Sequence, residues 1–309
     1  MSQEPKDFKL IMISAMYENG GNTLHRFLDG HPQLYVYPFE SQPSTPLVND
    51  YLSSVFPLKY RWPEIYTSGK FEEDYELIID EELKRHVKTP FASKFKDMDL
   101  NFSDKERKEI FLKLVKNKDR SRRTIVEAYL RSTFLAWKSY NKSGKETTYV
   151  GYSPIIGVDA EKIFSDFPDS HIIHIVRNPY SAYSDTKKRP VPYGIARYAD
   201  TWGLVQLFAL NYSKIYPKNF HLVKFEDLVA SPKIFFAKLV KEIGIKYSAT
   251  LEYPSWNGQK LDSVVPWGTI RTPTAKSNKT IKEELSKAEY EEVKKRTQII
   301  NKLLCYDQL

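Results

Sequence analysis

The sequence predicts an α/β fold, a three-layer sandwich on a central, mostly parallel sheet, with a helical insertion. Three observations predict it. Phe8–Met16 (FKLIMISAM) and His171–Val176 (HIIHIV) are short, nearly unbroken apolar runs with β-branched residues, the pattern of strands buried on both faces. Each run ends abruptly and passes through a turn into a segment that can start a helix, as in strand–turn–helix units. Between the two, 45–145 changes to Pro- and Tyr-rich chain and then to charged amphipathic segments, which suits a helical insertion.

Residues 8 to 43 read as strand, loop, helix, strand. The loop Tyr17–Thr23 (YENGGNT) carries adjacent glycines, Gly20 and Gly21. Such a pair either turns backbone N–H groups inward as an anion-binding nest or serves an ordinary tight turn. Asn22 and Thr23 can cap the helix or bond a phosphate oxygen. GxxxxGK[ST] is absent, so this is no Walker A loop. Gly30-His31-Pro32 stops the helix. LYVYPFES then forms a second short strand with Glu40 at its end.

In the insertion, helices are expected around Asp104–Lys116 and Ser121–Ser139, the latter with Ile125, Ala128, Tyr129, Phe134 and Trp137 near one face. Tyr149–Val176 returns to the sheet, with a helix near Asp159–Asp166. After His171–Val176, Pro179 fits the first turn of a helix. Arg177 therefore lies at the carboxyl end of a buried strand, where open α/β sheets bind ligands. Ser184 follows two helical turns on, so both can face one phosphate; the alternative for Arg177 is a surface ion pair. Tyr198–Tyr212 reads as a helix. Val264–Lys279 shows no periodicity and reads as a loop, and Glu283–Leu304 as a long amphipathic helix. No internal repeat or low-complexity tail is present.

Four segments, in order, resemble the PAPS-dependent sulfotransferase family: Glu18–Thr23 with LDGHPQL behind it, Phe167-Pro168-Asp169, VRNPYSAYS, and HLVKFEDLVASPKIFFAKLVKEIGI. The resemblance implies a P-loop-like sulfotransferase fold in one domain, 1–309, with 45–145 binding the acceptor. It implies an enzyme that moves the sulfonate of PAPS to a hydroxyl or amine of a small-molecule acceptor and releases 3′,5′-ADP. Asn19, Gly20, Gly21, Asn22 and Thr23, with the backbone of Leu24, would cradle the 5′-phosphosulfate. Arg177 and Ser184 would hold the 3′-phosphate; their spacing of seven, where the family pattern has eight, makes Ser181 a stand-in. Arg271 first and Lys276 second would close over that phosphate from the basic C-terminal loop, or that loop is simply a solvated basic one. Glu40 would be the general base, where the residues alone read as a surface loop acid or a helix cap, and no metal is needed. The family usually has Arg or Lys before its Ser-Gly-Thr, where this sequence has Glu18-Asn19. His25 or Arg26 either compensates or is a solvated helix residue. Trp202 and Trp267 either stack on adenine or acceptor, or belong to the core. His171 and His174 read as packed strand residues, and His31 as part of its turn.

Composition agrees. One sheet with an insertion absorbs 309 residues, and 41% hydrophobic with 14% aromatic residues builds a large core. The single cysteine, Cys305, excludes an intramolecular disulfide framework and a cysteine-rich zinc site. No apolar run follows a basic start and none reaches spanning length, so a cytoplasmic protein without membrane insertion is expected. The net charge of +8 suits a polyanionic cofactor, although the lysines of Lys276–Lys302 read as a solvated face. No nucleic-acid module accompanies that charge. Two alternatives stand beside the enzyme: a non-catalytic nucleotide-binding relative, and a kinase, for which the glycine loop lacks the phosphate-binding Lys. Oligomeric state is not legible.

Overall fold

A computed structural model of the chain describes residues 7–262 and 274–306, except the side chains of Ser277 and Ile281. Five strands form one sheet: β1 (Lys9–Ala15), β2 (Leu34–Val36), β3 (Thr148–Tyr152), β4 (His171–Val176) and β5 (Phe220–Lys224), in the order β2-β3-β1-β4-β5. Every pairing is parallel. The central strand β1 is buried at every position after Lys9, which is why its apolar run is unbroken rather than alternating.

The pleat sorts that run between two cores. Ile11, Ile13 and Ala15 face one core, with Leu24 and Leu28 of α1 (Gly21–Leu28). Leu10 and Met12 face the other, with Tyr129, Phe134 and Ile163. A slip of one residue would exchange the two sets, so the register is strongly specified. The insertion holds four helices: α2 (Phe71–Leu77), α3 (Glu81–Lys88), α4 (Asp104–Val115) and α5 (Arg122–Ala136). Ser103 and Ser121 cap the last two by accepting from Glu106 N and Thr124 N. The five apolar residues expected on one face near α5 are buried, as are Val126 and Leu130.

Beyond the insertion come α6 (Ala160–Asp166), α7 (Pro179–Thr186), α8 (Ile195–Ile215), α9 (Phe225–Ala230), α10 (Pro232–Glu242), α11 (Ala275–Thr280) and α12 (Lys287–Leu303). Phe225, Leu228, Phe236 and Leu239 of α9 and α10 share the core of α1; Trp202 and Val205 of α8 share a third core with Val293 of α12. Ion pairs fasten the insertion to the scaffold. Buried Arg61 donates to both oxygens of Asp159, each at 2.7 Å. Asp166, at the end of α6, accepts from Trp62 Nε1 at 2.7 Å and Arg122 Nε at 2.8 Å.

Three expectations need correction. The second strand stops at Val36, so Glu40 lies four residues beyond its end. Pro38 has no N–H for the ladder, and pairing resumes only where Ser41 N donates to Tyr152 O at 2.7 Å. Part of Val264–Lys279 is helical, since Ala275–Thr280 forms α11; six residues are too few to show a period. The C-terminal helix begins at Lys287, where Ser286 and Glu289 form a capping box after a 3₁₀ turn over Ile281–Glu284. Among the described residues, no helix is long and apolar enough to cross a membrane.

His174 and His171 are packed as expected. His174 Nε2 faces Gln206 Oε1 and Nδ1 faces Ser14 Oγ, both at 3.0 Å, while Gly157 N donates to that Oγ at 2.9 Å. A hydroxyl that accepts from Gly157 and donates to Nδ1 leaves the His174 proton on Nε2. His31 holds its turn, with Nε2 at 2.8 Å from Lys246 O.

Candidate functional site

The turn after β1 is shaped by what lies behind it. Glu18 and Gly20 take positive φ, +56° and +97°. A Cβ on Gly20 would sit 2.2 Å from the Phe225 ring, and one on Gly21 would sit 2.5 Å from the Tyr152 ring. Both glycines are required by these close approaches. In α1 the first helical bond runs from Leu24 N to Gly20 O at 2.9 Å. The N–H groups of Gly21, Asn22 and Thr23 thus belong to the positive end of the helix, where anions bind. Thr23 is buried and Leu24 lies in the core.

Asn19 has a different place from the one expected. Its Oδ1 accepts from Arg177 N at 2.9 Å and Trp202 Nε1 at 3.1 Å. Its Nδ2 donates to Tyr17 O at 2.8 Å and Tyr198 Oη at 3.3 Å, and its own N–H goes to Met16 O. The fully buried amide is spent on joining the first turn to the end of β4. This also settles Trp202, which is a core residue.

Arg177 stands where β4 ends. Its Nη1 donates to Glu18 O at 3.1 Å and to Asp185 Oδ2 at 2.8 Å, and its Nε to Asn278 Oδ1 at 2.7 Å. The guanidinium lies 4.8 Å from the Phe225 ring centroid. Its other terminal nitrogen, Nη2, has no hydrogen-bond partner among the described residues. Asn178 caps α7 through Ser181 N at 2.8 Å and is itself tied to Glu226. Ser184 is buried and donates to Glu284 Oε2 at 3.2 Å, while Ser181 Oγ donates to Asn278 O at 3.0 Å. Arg177, Ser181 and Ser184 therefore all face the segment 278–284. Lys276 is exposed on α11, two residues before Asn278. Arg271 and Trp267 lie outside the described residues.

On the other side of the turn, Glu40 is half-buried and accepts from Gln42 Nε2 at 3.4 Å. Its charge is felt by Tyr17, Tyr60, Tyr152 and Glu82, so the end of the β2 segment reaches the rim beside Tyr152 and Gly21. Tyr17 stacks on Tyr193 with centroids 5.4 Å apart and meets Tyr60 edge-on at 6.0 Å. Burial pushes the Glu18 carboxyl up to about 7, against the lowering pull of Arg189. Arg189 Nη1 is 3.9 Å from Glu18 Oε1, and its guanidinium is 5.1 Å from the Tyr17 centroid.

Neither cation considered inside α1 stands on this rim. Burial, and then Arg26 beside it, hold His25 well below its ordinary value. Arg26 is fully buried, 5.3 Å from the Trp256 centroid, with Nη2 donating to Tyr37 O at 3.4 Å. Sequence reasoning missed Asp185, Glu226, Asn278 and Arg189. Asp185 and Arg189 flank the end of a helix that was already singled out, while Glu226 and Asn278 arrive from 48 and 101 residues away.

The arrangement offers two sources of positive potential that meet at one place, a helix N-terminus and a guanidinium, with a carboxylate beyond them. The sulfotransferase family model matches residues 11–249. A sulfotransferase domain from the curacin biosynthetic pathway shares the fold at TM-score 0.51 and 15% identity, covering 94% of this chain and 96% of that one. The sulfotransferase domain of an olefin synthase from Synechococcus PCC 7002 gives TM-score 0.49 and 16% identity over 91% and 96%. A sulfotransferase from Alicyclobacillus acidocaldarius gives 0.44 and 13% over 97% and 96%. No curated protein matches the chain. With the family model spanning more than half of its length, around the parallel sheet and both turns just described, the chain belongs to the sulfotransferase family.

Proposed function

We propose that this sulfotransferase takes the sulfonate from PAPS and passes it to a hydroxyl or amine of a small-molecule acceptor, releasing 3′,5′-ADP. The observation that carries the reading is the junction of the two anion-attracting elements. Glu18 O and Asn19 Oδ1, in the first turn, are bonded to Arg177 at 3.1 and 2.9 Å. A ligand with phosphates at both ends of one nucleoside would need such a pair of sites. The donor set fits: Gly21, Asn22 and Thr23 offer a helix N-terminus, and Arg177 offers Nη2. PAPS, when bound, supplies an activated sulfonate on a mixed anhydride.

The chain's own residues then have simple tasks. The α1 N-terminus and Arg177 bind and orient the donor. Arg177 is held rigidly by Asp185, Asn278 and the peptide of Glu18, so little is lost in ordering it. Ser184, with Ser181 as its neighbour on α7, and Lys276 on α11 stand near the proposed 3′-phosphate end; the Ser184 hydroxyl would exchange Glu284 for the phosphate. Glu40 takes the acceptor proton as its oxygen or nitrogen attacks. The helical region 45–145 borders the acceptor and sets its shape.

Titration calorimetry tests the donor half. The protein should bind 3′,5′-ADP at least tenfold more tightly than AMP, and Arg177→Ala should remove that preference. Equal affinity for the two nucleotides would end the assignment. For the chemistry, Glu40→Gln should slow transfer by about 10²–10⁴-fold while 3′,5′-ADP binding stays unchanged.

A further inference from the structure

The proposed reaction leaves one electrostatic need unmet by the residues assigned so far. As the sulfonate moves, the S–O bond to the donor's bridging oxygen breaks and its electron pair stays on the phosphate. Negative charge therefore grows at a point between the first turn and the acceptor. Arg177 lies toward α7 and is tied to Asp185. The charged side chain that the first turn itself contributes is Glu18, an acid. A carboxylate beside a growing negative charge raises the barrier unless a cation stands with it.

One does. Residues 187–189 are Lys-Lys-Arg, directly after α7. Lys187 is engaged with Glu289 at 3.0 Å and Lys188 with Glu284, both on the C-terminal side. Arg189 alone of the three turns back to the first loop. It lies 3.9 Å from the Glu18 carboxylate and 5.1 Å from the face of Tyr17. Its field also reaches Tyr152, the ring packed under Gly21. Lys94, which also acts on Glu18, is paired with Glu82 at 3.4 Å.

The contact with Glu18 is long and single, and Arg189 remains about a third exposed. Such a side chain is positioned by Tyr17 yet free to choose a better anion. Tyr17 is itself fixed by Tyr193 and Tyr60.

We propose that Arg189 is the catalytic cation of the transfer, contacting the sulfonate and the bridging oxygen from the acceptor side; this rests on the PAPS reading above. In the step, a new S–O or S–N bond forms to the acceptor and the old S–O bond breaks. The electron pair leaves on 3′,5′-ADP, the acceptor proton goes to Glu40, and Arg189 stabilises charge on the departing oxygen.

The test uses the full-length protein, 3′,5′-ADP and PAPS labelled in the sulfonate, with water as acceptor in single-turnover release. Arg189→Ala should bind 3′,5′-ADP within tenfold of the parent, since the product keeps the bridging oxygen but has lost the sulfonate. Its sulfonate release should fall by about 10²–10³-fold, the usual effect of removing one transition-state donor. Arg189→Lys should recover at least a tenth of the parental rate. The double variant Glu18→Arg with Arg189→Ala, which returns a cation from the loop side, should exceed the single variant at least tenfold. If the parent releases sulfonate too slowly to time, the ratio of PAPS to 3′,5′-ADP affinity decides; it should drop at least tenfold in Arg189→Ala.

Parental release or affinity ratio in Arg189→Ala with 3′,5′-ADP binding intact would overturn Arg189 and leave the donor reading standing. Loss of 3′,5′-ADP binding in both single variants would also overturn it, by showing a structural role. A parent protein that binds no 3′,5′-ADP would overturn the donor reading, and Arg189 with it.

Discussion

Burial lifts the Glu18 carboxyl to about 7 from an ordinary 4.5, and nearby Asp185 adds to the lift while Arg189 and Arg177 oppose it. A carboxyl raised in the folded state contributes stability that is complete below 4.5 and is lost as pH climbs through about 7. Glu18→Gln removes that loss. Urea unfolding should find the variant more stable than the parent by about 1–3 kcal/mol at pH 8, with little difference at pH 4.5. An equal gain at both pH values would mean that ionisation at this position carries no cost. The same residue shows how a site can be half legible in sequence. Glu18 stood out because the family usually has Arg or Lys at this place, yet its partner Arg189 is 171 residues further on and had no periodicity or motif to mark it. Asn19 was read as part of a cradle because the family resemblance places that loop around the 5′-phosphosulfate. Only the arrival of Arg177 N and Trp202 Nε1 shows its amide to be a tie between two strands.

At the scale of elements, the first turn depends on two rings that come from other strands and helices. Gly20→Ala would place a methyl group 2.2 Å from Phe225 at a φ of +97°. Thermal unfolding should register a loss of about 2 kcal/mol or more, and 3′,5′-ADP binding should weaken with it. A variant with parental stability would show that Phe225 can withdraw at no cost. Strands and long helices were readable because a buried parallel strand writes itself as a continuous apolar run and an amphipathic helix as a 3.6-residue period. What was not readable has specific causes. Pro38 ends β2 early, so Glu40 reaches the rim on an irregular segment rather than on a strand. α11 is only six residues long and carries Asn278, the residue that meets Arg177 Nε. Ser184 was legible as a helix residue seven positions after Arg177, but which acid it would meet from 100 residues away lay beyond any local pattern.

Across the whole molecule, all six histidines are depressed by burial: His25, His31, His86, His171, His174 and His221. His171 and His174 are lowered from 6.5 to about 4. A group depressed in the fold contributes stability that is full above its unfolded value of 6.5 and is lost as pH falls toward 4. The melting temperature should therefore decline steadily between pH 6.5 and 4, with proton uptake on unfolding throughout that window. Replacing His174 by Gln should flatten the decline; an unchanged slope would remove His174 from it.

The anchoring of the region 45–145 to Asp159 and Asp166 also bears on how such proteins diversify. Both acids belong to the scaffold, while Arg61, Trp62 and Arg122 belong to the inserted part. A transplanted insertion from another member would dock only if it carried matching hydrogen-bond donors and cations. Without them it would strand two carboxylates, one of them deeply buried, so chimeras ought to exchange these five positions as a unit.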